Sequence, residues 1–87
     1  MTSFRPHPSV VSTEVEDSMV LLHLDTKRYF TLNSTGAFIW KHLAQGKTEA
    51  DIVSALAAEY DADTERLAAS TRRLLTQLEK AALIERA

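Results

Sequence analysis

The chain has 87 residues, 45% of them apolar and 25% charged, with a formal net charge of −2 and no cysteine. That length holds one domain, residues 1–87, and the composition is that of a globular chain, not a disordered one. Without cysteine there are no disulfides, thiol nucleophiles or thiolate metal sites, and the slight negative charge opposes general affinity for a nucleic-acid backbone.

No apolar segment approaches the length that spans a bilayer. The start, Met1-Thr2-Ser3-Phe4-Arg5-Pro6, lacks the apolar core of a secretion signal. A cytoplasmic protein with no membrane partner is expected.

Residues 1–8 carry both prolines and read as a flexible arm or a first edge segment. Val10–Val15 has β-favouring character, with Glu16-Asp17-Ser18 as the turn that follows. From Met19 the alternation predicts a strand with Val20, Leu22 and Leu24 on one face and Met19, Leu21 and His23 on the other. Asp25-Thr26-Lys27 reads as a tight turn, although it has no glycine or Asn-Gly to define its type. Residues 28–32 read as a third strand, Phe30 and Leu32 facing one way, Tyr29 and Thr31 the other.

Asn33, Ser34 and Thr35 can each cap a helix, and Ala37, Phe38, Ile39, Trp40 and Leu43 supply its apolar surface up to Gly46. Thr48 with Asp51 resembles a capping box opening a second helix, whose Ile52, Val53, Leu56 and Tyr60 share a side. Asp63 or Thr64 caps a longer third helix with a packing stripe of Leu67, Thr71, Leu74, Leu75 and Leu78. Ala81-Ala82-Leu83-Ile84 closes the core. The predicted fold is α+β, a three-stranded antiparallel sheet followed by three helices in a winged-helix-like layout. That layout keeps a small DNA-binding protein among the alternatives.

Chemistry is sparse. His7, His23 and His42 fall in separate elements at no metal-ligand interval and read as exposed or rim residues. Asp61/Asp63 and Glu14/Glu16/Asp17 read as a cap and a solvated turn, not as an acid/base pair. Gly36 lacks the companion glycines and lysine of a phosphate loop, and reads as close packing of a helix start on the sheet. The expectation is a protein that is not an enzyme and has no metal or cofactor. The third helix offers Arg66, Arg72, Arg73, Gln77 and Lys80 but alternates them with Glu65 and Glu79, a poor match to duplex phosphate. A peptide cleft fits better. An open third strand beside the third helix can accept an added strand, and Arg28, Arg72 and Arg73 suit an acidic peptide.

Three runs occur in order: Val20-Leu21-Leu22-His23-Leu24-Asp25; residues 27–40, with Tyr29-Phe30-Thr31-Leu32-Asn33-Ser34-Thr35-Gly36-Ala37 at their centre; and Leu74-Leu75-Thr76-Gln77-Leu78-Glu79-Lys80-Ala81-Ala82-Leu83-Ile84. Over roughly residues 8–85 this order resembles the PqqD-like family of leader-peptide recognition domains (RiPP recognition elements). The chain departs from the family by having Ala82, also small, where glycine usually precedes the final hydrophobic pair. The resemblance implies a peptide laid along the third strand against the third helix. Its strand side would be Lys27, Arg28, Tyr29, Phe30, Thr31 and Leu32, and its helix side Arg66, Ala69, Arg73, Leu74 and Gln77. The partner implied is the leader region of a ribosomally made precursor, delivered to a separate modifying enzyme. Within the family the chain is most similar to the B1 proteins of lasso peptide biosynthesis, whose partner is a leader peptidase, a cysteine protease on another chain. The alternative is a precursor chaperone for a radical enzyme in pyrroloquinoline quinone biosynthesis.

Overall fold

The computed structural model describes residues 3–86. Its elements are β1 (Phe4–Pro6), β2 (Val10–Val15), β3 (Ser18–His23), β4 (Tyr29–Leu32), α1 (Ser34–Ala44), α2 (Glu49–Glu59), α3 (Thr64–Lys80) and β5 (Ile84–Arg86). The expected three-stranded antiparallel sheet is present in the order β2-β3-β4, followed by the three expected helices. A second, two-stranded sheet joins the ends of the chain: Phe4 pairs with Arg86, Arg5 with Glu85 and Pro6 with Ile84. Within the arm expected over residues 1–8, Phe4–Pro6 is therefore a strand, and Phe4 is buried. Met1 and Thr2 lie outside the described residues.

Period-two alternation works as expected in β3 and β4. Met19, Leu21 and Leu32 are buried and Phe30 half-buried on the helix side, while Leu22, Tyr29 and Thr31 are exposed on the other. The core is closed by Ile39, Trp40 and Leu43 of α1, Ile52 and Leu56 of α2, and Leu67, Leu75 and Leu78 of α3. Each such aliphatic side chain removed from water contributes about 1.5–3 kcal/mol.

His23 departs from the expectation. It is only 3% exposed, because alternation places it on the face of Met19 and Leu21. Its Nδ1 accepts from the backbone N–H of Asp25 at 3.2 Å and of Thr26 at 3.4 Å, and its ring lies 4.7 Å from that of His7. A side chain thus organises the β3–β4 turn, which has Lys27 at φ +63° and no glycine. His7 and His42 are half-buried.

All three helices start on side-chain caps. Asn33 Oδ1 accepts from Gly36 N–H at 2.9 Å; Thr48 and Asp51 form a reciprocal capping box; Asp63 accepts from Glu65 N–H at 3.0 Å. At the end of α3, Leu83 N–H donates to Leu78 C=O and Ala82 N–H to Glu79 C=O, the two bonds of a Schellman motif. Ala82 is left-handed there, at φ +59°. The glycine usual at this position is therefore a matter of backbone conformation, and small size does not substitute for it.

Candidate functional site: an open strand beside a helix

β4 is the last strand of its sheet and has no neighbour on its outer side among the described residues. Its pairing with β3 sets which backbone groups face that side. His23 N–H donates to Arg28 C=O, and the register continues Leu22↔Tyr29, Leu21↔Phe30, Val20↔Thr31 and Met19↔Leu32. In an antiparallel ladder, bonded and unbonded pairs alternate. Phe30 and Leu32 therefore direct their N–H and C=O groups into the sheet, and Tyr29 and Thr31 direct theirs outward. Two donor–acceptor sets, two residues apart, form a template for an added strand.

Between β4 and α3 lies a cleft of about 500 Å³. Phe30, Thr31 and Leu32 line it from the strand, Ser70, Arg73, Leu74 and Gln77 from the helix, with Gly36 and Ile39 at its base. The packing stripe expected along α3 divides accordingly. Leu67, Thr71, Leu75 and Leu78 are buried in the core, and Leu74, half-buried, turns to the cleft. Arg66 and Ala69 are exposed and do not line the cleft; Ser70 occupies that turn of the helix. Gly36 lets the cleft close at its base, since a Cβ there would lie 3.1 Å from Leu32 Cβ.

A second depression, of about 620 Å³, adjoins the first at Phe30 and is lined by Arg28, Tyr29, Lys80, Ala82 and Leu83 among others. Lys27, in the turn, lines neither. Sequence reasoning missed Ser70, Lys80 and Leu83 as lining residues. Their spacing carried the signal: Ser70, Arg73, Gln77 and Lys80 recur at three and four residues, one ridge of the helix.

The cations are distributed unevenly. Arg5, Lys41, Arg72 and Arg86 are engaged by Glu85, Glu14, Glu49 and Glu79. Arg72, expected to complement an acidic peptide together with Arg28 and Arg73, instead holds Glu49 of α2 at 3.0 Å. Of the cations with no ion pair among the described residues, Arg28, Arg73 and Lys80 line the β4–α3 edge, and Lys27, Lys47 and Arg66 do not. No group of three His, Asp or Glu side chains among the described residues converges to hold a metal ion, and no described helix is long and apolar enough to cross a membrane.

Comparison with known proteins bears directly on this site. Residues 18–84 match the family model of coenzyme PQQ synthesis protein D (PqqD). The chain is similar to TbiB1, solved in complex with the TbiA(beta) leader peptide, at 38% identity and a TM-score of 0.89, over 93% of this chain and 94% of that one. It is also similar to a lasso peptide synthetase B1 solved with its leader peptide, at 28% identity and a TM-score of 0.88, over 95% and 98%. No curated protein sequence matches it. The family match covers β3, β4, the three helices and both walls of the cleft, and the chain belongs to the PqqD family.

Proposed function

We propose that this protein binds the leader region of a ribosomally made precursor peptide by adding it as a strand to β4, and delivers the precursor to a separate leader peptidase, a cysteine protease, in lasso peptide maturation. The observation that carries this reading is the outward-facing backbone of Tyr29 and Thr31 beside a cleft with an apolar base. The similarity to two B1 structures solved with leader peptides supports it. In this reading the protein is a cytoplasmic recognition subunit that performs no bond chemistry. Lys27, Arg28, Tyr29, Phe30, Thr31 and Leu32 form its strand side, and Arg73, Leu74 and Gln77 the helix side, with Arg66 and Ala69 engaging only a peptide that runs past the cleft.

The test is fluorescence anisotropy of a labelled leader peptide titrated with the protein, alongside a labelled DNA duplex. Two or three buried anchors with ladder hydrogen bonds correspond to micromolar or tighter affinity, about −8 kcal/mol. Saturable peptide binding without comparable duplex binding is expected; duplex binding alone would replace this reading by a DNA-binding one. The PqqD match favours a second reading, presentation of the precursor to a radical enzyme in pyrroloquinoline quinone biosynthesis. Stimulation of leader cleavage by a peptidase, against stimulation of a radical enzyme, separates the two.

A further inference from the structure

The chain has more acidic than basic residues, 12 against 10. Yet no carboxylate lines either depression along β4, and Arg73, Arg28 and Lys80 all do. The contrast with the depression at the β2–β3 turn is plain, for that one is lined by Glu14, Glu16, Asp17 and Glu59. The two β4 depressions also differ from each other. The cleft has Leu32, Ile39 and Leu74 at its base, whereas its neighbour is flanked by Arg28 and Lys80 over an apolar patch of Phe30 and Leu83. The C-terminal end of α3 contributes roughly half a negative charge there. Two cations with no ion pair among the described residues outweigh it.

We propose that the β4 edge reads two side chains of a bound segment: an apolar one seated over Leu32 and Leu74, and an acidic one four residues away between Arg28 and Lys80. This rests on the strand-addition reading above and names the ligand class it selects. The spacing follows from the ladder. Residues of an added strand that lie opposite Leu32, Phe30 and Arg28 all point to the helix side, since alternate side chains share a face. Phe30 belongs to both depressions and separates them. The residue opposite it is confined to a small side chain, and the two anchors flank that residue at i and i+4, roughly 13 Å apart. An acidic group displaced by one position would project to the far face of the sheet, beside Tyr29 and Thr31, away from both cations.

The probe is a set of short labelled peptides with a neutral β-favouring sequence and one Leu, in which a single Glu is walked along both sides of that Leu. Affinity for the wild-type protein is expected to rise about tenfold at low salt when Glu is four positions from Leu on one side. The gain should vanish when Glu moves by one residue and shrink as salt screens the pair. Arg28→Ser with Lys80→Ser should abolish the difference in affinity between the Glu-bearing and the Glu-free peptide, whatever it does to the affinity the two share; Arg28→Lys should keep most of that difference. Both residues are exposed, and circular dichroism checks that the variants stay folded. A gain that ignores Glu position, or that survives the double substitution, overturns the acidic subsite. If the Glu-free peptide binds, and Thr31→Pro abolishes that binding, a missing Glu effect removes the subsite alone. If wild type binds none of the peptides, the strand-addition reading falls and this inference with it.

Discussion

Gly36 and Leu32 are in such close approach that a Cβ on Gly36 would sit 3.1 Å from Leu32 Cβ and 3.2 Å from its Cδ2. Leu32 cannot yield easily, because it is 2% exposed and held in register opposite Met19. Alanine normally improves a helix by about 1 kcal/mol over glycine, but overpacking of this kind costs about 1–3 kcal/mol. Gly36→Ala should therefore destabilise the protein by a net ~1 kcal/mol and weaken peptide binding, since Leu32 lines the cleft. Thermal unfolding and a peptide titration measure the two effects; a higher Tm with unaltered affinity would show that the contact is not tight.

Ala82 offers the opposite change. A left-handed alanine costs about 1–2 kcal/mol, and the extra freedom of glycine in the unfolded chain returns about 0.4–1 kcal/mol of that. Ala82→Gly should gain roughly 0.5–1 kcal/mol, raising Tm by about 3–6 °C in a domain of this size. A fall in Tm on calorimetry would contradict the strain assigned to φ +59°.

Thr31→Pro removes an outward N–H while leaving the β3 ladder intact, because the bonds to β3 are made by Phe30 and Leu32. The variant should fold and lose peptide affinity by about tenfold or more, through the missing ladder bond and the ring that replaces it. Phe30→Pro, which strikes the inner ladder, should instead lower stability. Unchanged calorimetric affinity in folded Thr31→Pro protein would eliminate strand addition.

Arg73 and Arg72 are adjacent in sequence and differ in environment. Arg73 lines the cleft, and Arg72 pairs with Glu49 on α2. Arg73→Glu should weaken binding of an acidic peptide about tenfold at low salt and leave thermal unfolding unchanged. Arg72→Glu should leave affinity unchanged and cost at most about 1 kcal/mol of stability. Equal losses of affinity in the two variants would mean that net charge, not position, governs binding.

His23→Leu keeps an apolar body but deprives the Asp25 and Thr26 amides of their acceptor, at a cost of about 2 kcal/mol. His23→Asn, which retains an acceptor near the Nδ1 position, should lose less. Amide exchange at Asp25 and Thr26 reads the effect directly. Equal protection in wild type and His23→Leu would remove the histidine from the turn.

Much of this was legible in the sequence because it depends on local rules. Alternation in β3 and β4 gave the correct faces, and the Thr48/Asp51 and Asp63 caps begin their helices where side-chain chemistry predicts. The pairing of Phe4–Pro6 with Ile84–Arg86 was not legible, because its partners are eighty residues apart and three residues carry no usable periodicity. His23 shared the apolar face by alternation, but its capture of two turn amides depends on a backbone path that spacing does not specify. Arg72 and Arg73 could not be told apart either, since only the packing of α2 on α3 brings Glu49 to one of them.

Asn33 is the sole residue between β4 and α1, and it also caps that helix through its bond to Gly36. With no loop between strand and helix, neither can shift without the other, and Leu32 and Gly36 are locked together at the base of the cleft. The strand wall and the base of the cleft are consequently preformed, so ordering them costs little on association and more of the lost conformational freedom falls on the incoming peptide. Affinity should then respond to how extended the free peptide already is. Residues that stiffen it toward a strand should speed capture, even where they touch nothing on the protein.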